Sequence, residues 1–271
     1  MSYIESMFSL EGKTAVITGG GGTIAHAMAE AYLKAGASVS LWGHRSESIE
    51  SAKESLSSLT GAADRIQTVR CDAFEEDSIR SALQESTDCF GEVHILVNAA
   101  GGNRGKAPFT EVDVDLFREV VNLNLIAGLV VPTKVCAAYW SESGISGCII
   151  NMASMSSYVP LSGIWAYNAA KSAVKNLTAA CAKEFAPAGI RVNALAPGFF
   201  LGKQNRDLLI DRETGDLTPR GRDVIDHTPF GRFGDVSELA GASLFLANSA
   251  ASGFVTGATI PIDGGYLTHN I

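Results

Sequence analysis

No C-x-x-C pair occurs among the five cysteines of this 271-residue chain (Cys71, Cys89, Cys136, Cys148 and Cys181), and none stands at metal-like spacing from a histidine. That argues against a zinc module and a dithiol redox centre, so no metal is expected. An odd number of scattered thiols also argues against a disulfide framework and points to the reducing cytoplasm. Basic residues are outnumbered, 21 against 29, for a net charge of −8. Such a balance provides no electrostatic footprint for nucleic acid or for an anionic membrane surface. The opening "MSYIESMFSLEGK" lacks the basic flank and apolar stretch of a secretory leader, and no apolar run reads as long enough to span a bilayer. Charged residues are scarce at 18%, whereas 46% are hydrophobic, which suits a well-buried core. The partner to look for is a small molecule.

Short β-branched runs alternate with longer amphipathic stretches. Strands are expected at 14–18, 38–42, 66–71, 94–99, 147–153, 191–196 and 258–263. Helical patterns fill 23–35, 46–59, 75–89, 114–141, 163–186 and 236–248. Such alternation calls for right-handed βαβ crossovers, and strands without strict polar alternation are buried on both faces. The expected fold is α/β: one domain over 1–271, a doubly wound parallel sheet of about seven strands with helices on both faces. The charged stretch 198–235 is too long for a simple connection and reads as a lid over a site.

The first strand runs into four glycines, Gly19 to Gly22, which open a helix at Thr23. In a Rossmann-like sheet, this turn lets a pyrophosphate reach the free N–H groups of a helix N-terminus, and a Cβ there would block the approach. Gly19, Gly21, Gly22, Thr23 and Ile24 are therefore candidate cofactor contacts. A dinucleotide enzyme that uses NAD places an acid at the end of the second strand to hold the ribose hydroxyls. Here the chain reads Gly43-His44-Arg45-Ser46, with no carboxylate until Glu47. An arginine can instead pair with a 2′-phosphate. NADP(H) is therefore favoured over NAD(H), with His44, Arg45 and Ser46 as contacts.

Further strings carry a family resemblance. Gly19-x-x-x-Thr23-x-Ala25 resembles T-G-x-x-x-G-x-G with two glycines replaced. "CDA" at 71–73 and "NAAG" at 98–101 follow the third and fourth strands. Ser154-x12-Tyr167-x3-Lys171, "APG" at 196–198 and "IDGGY" at 262–266 follow. Together, from Lys13 to Tyr266, the chain resembles the short-chain dehydrogenase/reductases. The resemblance implies cofactor contacts at Cys71, Asp72, Ala73, Asn98, Ala99, Ala100, Gly101, Tyr167, Lys171, Pro197, Gly198 and Phe200. It implies catalysis by Ser154, Tyr167 and Lys171, and a homotetramer. Chemistry favours the same three residues. Tyr167 and Lys171 are helical neighbours, and an ammonium beside a phenol is expected to lower the phenol pKa. Ser154 ends the fifth strand, where it can hold a carbonyl oxygen. The family's fourth catalytic member is an asparagine that holds a proton-relaying water. Asn124 is assigned to it, with Asn122 as the alternative. Asn124 is about one residue out of step, which a bulge in the long helix would absorb.

"NAAGGN" (98–103) and the 198–235 segment are similar to the D-mannonate oxidoreductase (fructuronate reductase) branch. The implied reaction is reversible hydride transfer between a keto sugar acid and its hydroxy acid. Asn103, Arg104, Lys203, Asn205 and Arg206 are the candidates for holding carboxylate and hydroxyls. A sugar-alcohol, gluconate-type or 3-oxoacyl reductase would use the same triad, and a nucleotide-sensing regulator is the non-enzymatic alternative.

Overall fold

The computed structural model describes residues 2–202 and 206–269. Helix α1 (Tyr3–Phe8) precedes β1 (Thr14–Thr18), α2 (Thr23–Lys34), β2 (Ser38–Gly43), α3 (Ser46–Thr60), β3 (Ile66–Arg70), α4 (Glu76–Phe90) and β4 (Ile95–Asn98). One long helix follows, formed by α5 (Val114–Val121), a π-helical stretch (Asn122–Val130) and α6 (Val131–Ser143). The second half runs through β5 (Cys148–Met152), α7 (Trp165–Phe185), β6 (Arg191–Pro197), α8 (Arg206–Leu209), α9 (Pro219–Asp226), α10 (Ala240–Ala247), α11 (Ser249–Ser252) and β7 (Thr259–Ile262).

All seven strands are parallel in the order β3-β2-β1-β4-β5-β6-β7. Alternate residues of β1 feed two cores, one on each face of the sheet. Ala15 and Ile17 of β1 pack with Met28 of α2, Leu56 of α3 and Leu246 of α10. Val16 points the other way, to Ile79 of α4, Trp140 of α6 and Ala182 of α7. This explains the unbroken apolar strands: both faces are covered. Strand order reverses at β1, which pairs with β2 on one side and β4 on the other. A crevice must open there at the carboxyl ends of the strands.

The expected bulge is present in the long helix as the π segment Asn122–Val130. Within it the ladder skips a residue, and the Val131 N–H donates to Ile126 O. Pro132 follows directly, in the first turn of α6, where a missing N–H is tolerated. The sequence reading needs a correction here. By length and composition, Val114–Ser143 could cross a membrane. It does not stand free, because Val135, Cys136 and Trp140 are packed against the sheet.

Two further differences concern helices. Helix α1 was not expected, although its Ser2-x-x-Glu5 capping box is a sequence signal. The 198–235 stretch also contains α8 and α9, the latter started by Thr218 as cap and Pro219 at its first position.

Candidate active site

At the β1–β4 crevice the glycine loop turns into α2. Gly19 has φ +64°, and a Cβ there would sit 2.9 Å from the Ala100 Cα. The loop therefore lies directly on the chain that leaves β4. Thr18 Oγ1 reinforces this contact by accepting from the N–H groups of Ala99 and Ala100, at 3.1 and 3.2 Å. Gly22 caps α2 without any side-chain cap, and the helix has no acid in its first turn. Uncapped N–H groups with no opposing carboxylate suit a pyrophosphate. Gly22, Thr23 and Ile24 line a cleft of about 370 Å³ together with Ser154, Tyr167 and Lys171. The cradle fits a dinucleotide.

Across this cleft stand the acid–base candidates. Ser154 follows β5 and caps a short turn; its Oγ accepts from Ser156 N at 3.1 Å. Tyr167 and Lys171 lie one turn apart on α7, with the ammonium 5.6 Å from the phenol ring centroid. Lys171 is only 5% exposed, and its Nζ donates to Met152 O at 2.7 Å. Burial pulls its pKa down to about 8. Burial also pushes the Tyr167 phenol above its ordinary value, and the Ser154 hydroxyl, donating to it, draws it partly back. The expected lowering by Lys171 is thus corrected: desolvation wins, and the phenol stays protonated near neutral pH.

Asn124 is fully buried inside the π segment. Its Oδ1 accepts from Gly102 N at 3.0 Å, while Nδ2 donates to Gly102 O at 2.7 Å and to Val120 O at 2.8 Å. The side chain fastens the backbone after β4 against the cleft. A Cβ on Gly101 would lie 2.7 Å from Asn124 Oδ1 and 3.5 Å from Lys171 Nζ. Asn122 is exposed, so of the two it is Asn124 that reaches this constellation.

Comparison with known proteins decides what this arrangement belongs to. A family model described as enoyl-(acyl carrier protein) reductase matches residues 21–267. A short-chain type dehydrogenase/reductase from Mycobacterium marinum superposes with a TM-score of 0.85 at 31% identity, over 98% of this chain and 99% of its own. This chain is a short-chain dehydrogenase/reductase. It is accordingly an oxidoreductase of CH–OH groups that works with NAD(P). Among relatives of this dehydrogenase, the uncharacterized oxidoreductase UxuB of Bacillus subtilis is 37% identical over 97% of each chain. A Haemophilus influenza protein, provisionally named D-mannonate oxidoreductase and solved with bound NAD, has a TM-score of 0.89 at 32% identity, covering 98% of this chain and 99% of that one. A gluconate 5-dehydrogenase from Burkholderia cenocepacia, solved with NADP and tartrate, has a TM-score of 0.88 at 32% identity, covering 99% of this chain and 100% of that one.

Other residues of the dehydrogenase divide by position. Ala99, Gly101, Asn103, Pro197, Gly198 and Phe200 line the same cleft. Gly21 lies behind the cradle against Ser48. Asn98 lies beneath the cleft rather than in its wall, with Nδ2 donating to Thr133 Oγ1 at 2.9 Å and Asn151 Oδ1 at 2.8 Å. His44, Arg45 and Ser46 are exposed where β2 passes into α3. Next to them Cys71 N donates to Gly43 O at 3.1 Å, and Asp72 Oδ1 accepts from Phe74 N at 3.0 Å in the turn that includes Ala73. Arg104 is exposed and lies 3.8 Å from Glu119. Arg206 opens α8, exposed; Lys203 and Asn205 lie outside the described residues. Sequence reasoning missed Leu208 and Val236 as cleft residues. Leu208 carried a faint signal, an apolar side chain in a charged stretch.

Proposed function

We propose that this dehydrogenase interconverts a keto sugar acid and its hydroxy acid, of the D-fructuronate/D-mannonate type, with NADP(H) favoured over NAD(H). The observation that carries the reading is the shared cleft, in which Ser154, Tyr167 and Lys171 face the Gly22–Ile24 cradle. Nicotinamide, when bound, supplies or accepts the hydride. In the reducing direction, Ser154 hydrogen-bonds the substrate oxygen and Tyr167 gives up its phenolic proton to it. Lys171, with a pKa near 8, keeps its charge at neutral pH and stabilises the phenolate left behind. Asn124 holds the Gly101–Gly102 backbone and any relaying water beside Lys171. The sugar-acid reading is supported by the names of the Haemophilus and Burkholderia proteins and by Asn103, Arg104 and Arg206 at or beside the rim. Residues 198–235 serve as the lid.

The reading is tested by nicotinamide absorbance with D-fructuronate and, separately, NADPH or NADH. Rapid oxidation of NADPH supports it; turnover of D-gluconate alone moves the assignment to the gluconate-type reductases. For cofactor choice the decisive variant is Arg45→Ala. Loss of a charge-assisted pair with a 2′-phosphate removes roughly 1.5–3 kcal/mol, so the NADPH-to-NADH ratio of kcat/KM should fall about 10–100-fold. An unchanged ratio refutes the role of Arg45.

A cytoplasmic homotetramer completes the proposal. Phe254 is fully exposed beside the edge strand β7, whose residues are only partly covered, and an apolar side chain so placed suits a subunit contact. Light scattering should give a mass about four times that of the chain; a monomer contradicts this.

A further inference from the structure

Ser154 and Tyr167 belong to different elements, and the connector between them has little regular structure beyond the turn at Met155–Ser157. Their separation therefore depends on whatever fastens that connector to α7. Lys175 of α7 lies over the ring of Tyr158, 3.7 Å from its centroid, and two further side chains fasten the connector by hydrogen bonds to backbone. Ser157 Oγ donates to the backbone carbonyl of Lys171 at 2.6 Å and accepts from Ser154 N at 3.3 Å. One hydroxyl thus joins the backbone of one member of the triad to the backbone of another.

The second hydrogen-bonded fastening is Asn168, the residue after Tyr167, which is 7% exposed. Its Nδ2 donates to Leu161 O at 2.7 Å and its Oδ1 accepts from Leu161 N at 3.3 Å. Both ends of the amide are spent on a single residue of the connector. From there the ties continue outward. Ala107 N donates to Gly163 O at 3.2 Å, and Trp165 Nε1 donates to Ala107 O at 2.9 Å. These bonds secure the loop after β4, including Asn103, which lines both the main cleft and a cavity of about 50 Å³ behind it.

We propose that Ser157 and Asn168 are positioning residues with separate tasks. Ser157 registers Ser154 against Tyr167 and Lys171, and Asn168 registers the substrate-side wall against α7. A buried amide with both ends bound to one residue, and a hydroxyl bridging two backbone groups, hold their partners to fractions of an ångström. Catalytic geometry needs that tolerance, since small displacements cost tenfold or more in rate. The inference rests on the proposed triad chemistry but not on the identity of the sugar acid.

The test compares Ser157→Ala, Ser157→Thr and Asn168→Ala with the wild-type enzyme. Substrates are D-fructuronate, D-gluconate and the uncharged diketone 2,3-butanedione, each with the matching nicotinamide cofactor. Ser157→Ala should lower kcat about tenfold with KM within about twofold, and Ser157→Thr, which keeps the hydroxyl, should restore it. Asn168→Ala should raise KM about tenfold with kcat within about twofold. Cofactor affinity, read by fluorescence titration, should stay unchanged in all three and serves as the check on folding. Wild-type kcat in Ser157→Ala, or a parallel loss of kcat, KM and cofactor affinity in both alanine variants, overturns the proposal. Inactivity of the wild type towards the two acids alone refutes the sugar-acid reading instead, and the pattern on the diketone then tests the positioning roles.

Discussion

Tyr167→Phe should bind nicotinamide cofactor as the wild type does and turn over substrate roughly 10²–10⁴-fold more slowly, the usual worth of a positioned acid or base. The change removes one oxygen atom. That atom is the acceptor of the Ser154 hydrogen bond, and burial keeps its proton in place near neutral pH. A protonated phenol is the correct form for reducing a carbonyl, whereas oxidation of an alcohol needs the phenolate. The reductive direction should therefore persist to lower pH than the oxidative one. Stopped-flow absorbance with parallel cofactor titration separates the two quantities. Turnover within a factor of ten of wild type would remove Tyr167 from the chemistry, and lost cofactor binding would mean that the ring shapes the cleft.

Lys171→Met should act in opposite directions on activity and stability. Activity should fall by about two orders of magnitude or more, because the ammonium 5.6 Å from the Tyr167 ring centroid supplies the positive charge that steadies the phenolate. Stability at pH 7 should rise. Burial lowers the Lys171 pKa from 10.5 to about 8, so the folded state holds this ammonium at a cost of about 3 kcal/mol. Losing the bond to Met152 O offsets about 1–2 kcal/mol and leaves a net gain of about 1–2 kcal/mol. The sign follows from proton uptake. Between about pH 8 and 10.5 the unfolded chain binds more protons than the folded one, so the wild type gains stability as pH rises through that window. Methionine has no such dependence, and the variant's advantage should shrink and then vanish above about pH 10. Urea unfolding at pH 7 and pH 10 measures both. A variant less stable than wild type at pH 7 would show that the buried ammonium is adequately solvated.

Much of this was legible in the chain because its strands are short, apolar and bounded by glycine or charge. The strands at 14–18 and 191–196 lie within a residue of their observed limits, and the helix after the glycines starts at Thr23 as expected. The association of Ser154, Tyr167 and Lys171 with the glycine loop could be anticipated because strand ends and the first turn of a helix converge in parallel sheets. What escaped has a common physical character. Ser157 and Asn168 act through backbone groups brought near only by the fold, and no spacing rule reports such a bond. The Tyr167 phenol was given the wrong direction because neighbouring charge is visible in a sequence while burial is not. The exposed Asn122 and the buried Asn124 differ by two positions, and only the geometry of the π segment separates them.

That segment has a consequence for how the protein tolerates change. Each residue of an α-helix advances the chain by about 100°, so deleting one residue between Asn122 and Pro132 would let the ladder close as ordinary helix and turn everything before it by about that angle. Asn124 would swing away from Gly102, while α6, on the far side of the deletion, could keep its seat on the sheet. The surplus residue therefore acts as a phase shifter between two halves of one rod. One half is indexed to the core and the other to the cleft, and insertions or deletions there should be excluded even where substitutions are accepted.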